Sequence, residues 1–195
     1  MQTSSNFIDR WGGPALMIGA LIFSLTKARG YVDPDDSLLI YVMLVGFAAW
    51  IVGIAAFFVR YAPTSGRLGK TGLGISFVGI LLVAAGHLLS EAVWNATGVD
   101  LFLLIILGVL ALIAGPLLFG AATLQRKTLQ RRWRFVPLFI GLMGLMWILN
   151  GSDDGSLTFG FMFFRTLFAL GWFFMGYALF SDKPVTAEKL APQEV

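Results

Sequence analysis

Long apolar runs separated by short polar connections set the pattern of this chain. They fall at Trp11–Thr26, Leu38–Val59, Thr71–Ser90, Leu101–Leu124, Phe135–Asn150 and Leu157–Phe180. A helix that crosses a bilayer needs about 20 mostly apolar residues. The pattern therefore predicts an all-α integral membrane bundle of six transmembrane helices, forming one domain over residues 1–195. The first and fifth runs are short and extend into their polar flanks. The short connections make consecutive spans antiparallel neighbours.

Composition supports the same solvent. Of the 195 residues, 57% are hydrophobic and 13% charged, whereas a soluble domain is about 45–50% apolar and roughly a quarter charged. Too few charges remain to cover a soluble surface. The first apolar run has no basic segment before it and no Ala-x-Ala site after it, so no cleaved leader is expected.

The direction of the spans follows from the cations. Of the 14 Lys and Arg, eleven lie on one side: Arg10, Arg60, Arg67, Lys70, Arg126, Lys127, Arg131, Arg132, Arg134, Lys183 and Lys189. Two, Lys27 and Arg29, lie on the other, and Arg165 lies inside a span. Cytoplasmic loops carry the excess of Lys and Arg, so both termini are expected in the cytoplasm. Trp11, Tyr61, Trp133 and Tyr177 mark one interface, and Tyr31, Tyr41, Trp94 and Trp147 the other.

Small residues recur every three or four positions: Gly46, Ala49, Gly53 and Ala56; Gly72, Ser76, Gly79 and Gly86; Gly108, Ala111 and Gly115. Each set forms a stripe along which helix backbones approach closely, within the chain or against a partner. "GPALMIGA" and "GPLLFGAA" look like a repeat, but both fall at the cytoplasmic side, where an inverted repeat would place them at opposite depths. Pro116 removes a backbone donor inside the fourth span.

Several motifs have simple readings. Asp33, Asp35, Asp36, Asp100, Asp153 and Asp154 precede the three helices whose amino termini face outward, where acids cap and complement the helix dipole. No metal is called for. "GRLGKTG" lacks the first glycine of a phosphate-binding loop and follows a membrane helix rather than a strand, so it reads as a solvated basic turn. "QRKTLQRRWR" carries Arg126, Lys127, Arg131, Arg132 and Arg134 and reads as a loop on anionic lipid headgroups, or else as a docking patch for an acidic partner.

The ionisable residues inside the apolar runs are His87, Glu91 and Arg165. His87 is the only histidine, and there is no cysteine, so sulfur-ligated metals and bis-histidine haem within one chain are excluded. His87 and Glu91 share a helical face. Arg165 lies about 12 Å below the outward end of its span. Ionisable groups in spans face the bundle interior and pair with one another. The leading reading is thus a buried polar cluster in which Glu91 neutralises Arg165, joined by His87 and by Asn150. Two sharper readings stand beside it: a polar floor for a small ligand, and His87 as single axial ligand of a haem or chlorophyll-type pigment.

No serine–base pair, acid dyad or metal set accompanies these residues, so no enzyme is read. The formal charge of +3 is too small for a nucleic-acid partner. The stripes and the eight phenylalanines of the sixth span (Phe159, Phe161, Phe163, Phe164, Phe168, Phe173, Phe174 and Phe180) are too much contact surface for one six-helix core. The expected function is therefore a non-catalytic accessory subunit of a larger inner-membrane complex, among membrane lipids and other membrane-protein subunits. The alternative is a small-solute or lipophilic-ligand transporter or binder.

Overall fold

A computed structural model describes residues 3–30, 37–151 and 158–181, with the side chains of 3–9, 26–30, 37–40, 90–92 and 94 left aside. The described residues form six helices: α1 (Thr3–Gly30), α2 (Ser37–Tyr61), α3 (Gly66–Thr97), α4 (Phe102–Arg126), α5 (Val136–Leu149) and α6 (Phe159–Ser181). No strand occurs among them. Four helices are long and apolar enough to cross a membrane, over Tyr41–Tyr61, Gly66–Leu89, Phe102–Arg126 and Phe159–Ser181. Arg10–Leu25 and Val136–Leu149 are shorter apolar helices. The chain is a helical protein built for an apolar solvent.

Each helix packs on its neighbour in sequence, and α6 returns to α1, so the six close into a ring. Antiparallel order is visible in the close approaches along the seams. Gly12 lies against Ala56 and Gly46 against Ile22. Gly72 lies against Gly115 and Gly86 against Ile105, and Gly120 lies against Leu138. The α3–α4 seam shows what the small-residue stripes do. A Cβ on Gly79 would stand 2.8 Å from the Gly108 carbonyl oxygen, and one on Gly108 would stand 2.7 Å from that of Gly79. The backbones themselves are the contact, as expected where no hydrophobic drive holds helices together. The stripes of α2, α3 and α4 are thus used within the chain.

The helix ends have local causes. Gly98 (φ +69°) follows α3 in the left-handed conformation common just past a helix. The Asp100 carboxylate accepts from the Phe102 N–H at 2.8 Å, one of the donors left open at the start of α4. Lys127 (φ 55°) ends α4, its N–H donating to Thr123 O. Thr158 caps α6: its Oγ1 accepts from the Phe161 N–H at 3.1 Å and donates to Asn150 O at 2.8 Å. A threonine therefore takes part in capping α6, where the sequence pattern points to Asp153 and Asp154. Those two, with Asp33, Asp35 and Asp36, lie outside the described residues.

The interior differs at its two ends. At the end holding the α2, α4 and α6 carboxyl termini, the rings of Phe57, Tyr61 and Phe119 fill the space, with Phe57 and Phe119 5.4 Å apart. Leu129, from the α4–α5 connection, is 1% exposed beneath them. Arg60 donates from Nη1 to Leu179 O at 3.0 Å, placing a cation on the last turn of α6. The opposite end holds a cavity.

The seam geometry gives a direct test. Gly79→Val should lower the unfolding temperature in detergent by the equivalent of about 1–3 kcal/mol, the usual cost of overpacking. Gly74→Ala should be silent, because its added Cβ meets only Phe58 at 3.8 Å.

Candidate functional site

The cavity is open on one side, has a volume of about 400 Å³ and is lined by five of the six helices. Phe23 comes from α1, Val83 and His87 from α3, and Phe102, Ile105, Ile106 and Val109 from α4. Trp147 and Ile148 come from α5, and Phe161 and Arg165 from α6. Its wall is apolar except for His87 and Arg165. Volume and lining match those of small-ligand sites, which are concave, mostly apolar and furnished with a few polar groups.

Arg165 is 4% exposed. Its Nη2 donates to the Phe23 carbonyl oxygen at 2.8 Å, and its Cζ lies 4.9 Å from the centroid of the Phe23 ring. The same residue of α1 thus meets the cation twice, through a charge-assisted hydrogen bond and through the negative face of its ring. Around this contact runs a closed circuit of aromatic rings: Phe23 to Trp50 at 5.0 Å, Trp50 to Trp172 at 5.8 Å, and Trp172 to Phe168 at 6.3 Å. Phe168 meets Trp147 at 5.6 Å, and Trp147 returns to Phe23 at 6.4 Å. Arg165, Phe168 and Trp172 share one stripe of α6 by their spacing of three and four. The circuit ties α1, α2, α5 and α6 together at the depth of the cation. The indole N–H groups of Trp50, Trp147 and Trp172 are buried there without a hydrogen-bond partner among the described residues. Four of the five contacts are T-shaped, setting ring edges against ring faces, the arrangement that aromatic quadrupoles favour.

His87 approaches from α3. Its Nδ1 lies 2.9 Å from the Val83 carbonyl oxygen. A carbonyl oxygen only accepts, so Nδ1 carries the proton, and in the neutral ring Nε2 holds the lone pair. A carbonyl that fixes the imidazole in this way is the usual support of a metal-binding histidine, and it equally suits a ring that accepts a hydrogen bond. The Phe47 ring packs against it at 5.5 Å. Among the described residues no three His, Cys, Asp or Glu side chains gather as a metal site. A ligand would thus meet a guanidinium and an imidazole in an otherwise apolar wall.

The structure brings His87 and Arg165 to one cavity. The Glu91 side chain, expected to neutralise Arg165, lies outside the described residues. Asn150 is turned elsewhere. Its Nδ2 donates to Met146 O at 2.8 Å, and a Cβ on Gly160 would stand 2.6 Å from its Oδ1, so it packs the α5–α6 turn.

At the opposite end of the ring, Arg126, Lys127, Arg131 and Arg132 are exposed. Arg134 donates from Nε to Leu129 O at 3.0 Å, and Arg132 stacks on Trp133. This connection plugs the bundle with Leu129 while presenting the other cations outward. The residues that the sequence reading missed are the apolar walls. Their one signal is helical spacing from the polar pair: Val83 one turn before His87, and Phe161 one turn before Arg165.

Removing the charge should separate its structural and binding roles. Arg165→Met keeps the length and drops the burial cost of a cation, so stability should stay within about 1–2 kcal/mol of the wild type. Arg165→Lys keeps the charge without the planar fork and should unfold at a clearly lower temperature. Thermal unfolding of both variants, followed by circular dichroism, checks the order. Lysine more stable than methionine would contradict it.

Compared with protein-family models, with curated proteins and with solved structures, the chain matches none, and its geometry alone carries the functional reading.

Proposed function

We propose that this is a multi-pass protein of the cell inner membrane that binds a small lipophilic molecule in the cavity between His87 and Arg165. One observation carries the reading. A cavity of ligand size, apolar except for a cation and an imidazole, lies at one end of a ring that is filled with side chains at the other. A ring plugged in this way suits a binder better than a channel. Polar groups placed in an apolar wall orient a ligand, and here they call for an acceptor toward Arg165 and a donor or a metal centre toward His87.

In this reading the chain crosses six times with cytoplasmic termini. α5 has 14 residues and rises about 21 Å, short of the roughly 30 Å hydrocarbon core. The turn before it, which carries Leu129 and Trp133, completes the crossing. The exposed cations of that turn face anionic headgroups, and the cavity falls in the outer half of the membrane. A cysteine replacing Ser4 should react with an impermeant thiol reagent only after cells are opened, and labelling of intact cells would reverse the orientation.

A second reading, membership of a larger complex, keeps one support. Phe159, Phe163, Phe174 and Phe180 of α6 are exposed, so this helix offers an aromatic edge to other subunits. The small-residue stripes no longer argue for it, since they pack within the chain.

Purification in mild detergent followed by organic extraction and mass spectrometry tests the binding site. Wild type should retain one lipophilic species in fixed proportion to protein. Val109→Trp, which fills the cavity, should lose it, while Leu110→Trp on the exposed face should keep it. Equal recovery from all three would refute a specific site. An absorption band that disappears in His87→Ala would identify the species as a haem or chlorophyll-type pigment.

A further inference from the structure

The cavity has an entrance on the side of the bundle. Of its lining residues, Phe102, Ile106 and Ile148 are 57%, 41% and 40% exposed. All three are apolar, and they belong to the facing helices α4 and α5. Nearer the plugged end, α4 and α5 are in close contact, Gly120 against Leu138, Gly141 against Leu117 and Gly144 against Ile113. One turn further on, Val109 and Ile106 of α4 and Trp147 and Ile148 of α5 border the cavity. The seam therefore opens toward the amino end of α4. Ile106 lies four residues, or about 6 Å, inside that helix, which is itself long and apolar enough to cross a membrane.

We infer that this gap is a lateral portal through which the hydrocarbon chain of an amphiphile dissolved in the bilayer enters the cavity. The inference rests on the cavity being a ligand site and adds the source and class of the ligand. The order of surfaces along the path decides between sources. A hydrated solute using this mouth would cross Phe102, Ile106 and Ile148, none of which compensates lost hydration. A chain already in hydrocarbon loses nothing at that mouth and exchanges one apolar surrounding for another. The polar groups come last: Arg165 is 4% exposed and lies beyond the mouth, against Phe23 of α1. A chain-bearing molecule whose polar end is compact fits this sequence. A hydrated ion or sugar does not.

The test uses full-length protein in vesicles of phosphatidylethanolamine and phosphatidylglycerol doped with palmitic acid carrying a mid-chain diazirine. After illumination, adducts are mapped by peptide mass spectrometry. Adducts on the segments holding Val83, Val109 and Phe161 are expected in the wild type. They should be lost in Ile106→Trp and in Ile148→Trp, whose exposed positions tolerate a larger ring, and kept in Leu110→Trp. Labelling confined to outward-facing residues in the wild type, or undiminished interior labelling in both portal variants, overturns the portal. Retention of the co-purified lipophile in wild type with its loss in Val109→Trp would then leave the binding site standing. If that loss is also missing, site and portal fall together.

Discussion

A guanidinium inside an apolar helix ring must be held by more than packing, because taking an ion out of water costs several kcal/mol even after relaxation. Arg165 meets that demand on Phe23, through a hydrogen bond of 2.8 Å to the carbonyl oxygen and a ring face at 4.9 Å. A hydrogen bond to a charged group contributes about 1.5–3 kcal/mol, and a desolvated cation–π contact about 2 kcal/mol or more. Together these offset much of the burial cost. They also join α6 to α1 at that depth, on a seam where the backbones of Gly13 and Gly176 meet directly.

The cavity lies inside the ring that these helices form. Around the anchored cation, Trp50, Trp172, Phe168 and Trp147 pass contacts from helix to helix and return to Phe23. Toward one end the ring interior is filled by Phe57, Tyr61, Phe119 and Leu129. Toward the other, no described side chain of comparable size occupies the space between His87 and the aromatic circuit, and α5 ends at Leu149. A short fifth helix beside a 25-residue fourth leaves the α4–α5 seam open among the described residues where the cavity begins. The polar wall thus rests on Arg165 and His87, and the side entrance on the length of α5.

Much of this fold could be read from the sequence, because a bilayer solvent imposes long apolar runs and short connections. The helices coincide with those runs and extend beyond them where polar residues continue a helix. α3 begins at Gly66 and ends at Thr97, past a run that stops at Ser90. The stripes were legible as close-packing surfaces, but spacing alone does not say whether the facing backbone is in the same chain. The α6 cap was hidden because Thr158 stands beside a denser acidic signal at Asp153 and Asp154. The site was legible in its polar half only. His87 and Arg165 stand out because charge in an apolar run is costly, whereas Val109 or Ile148 resembles any other lipid-facing residue until helix positions are known. Asn150 shows what spacing leaves open: its amide donates to Met146 O of its own helix.

The central claim is that the Phe23 ring holds Arg165 electrostatically, and stepwise fluorination of that ring measures this most directly. Each fluorine withdraws density from the ring face and weakens its attraction for a cation while leaving the Phe23 carbonyl in place. The unfolding temperature of the protein in detergent should fall progressively with fluorine number in the wild-type background and show no trend in Arg165→Met. A flat series in both backgrounds, or the same slope in both, would contradict the account.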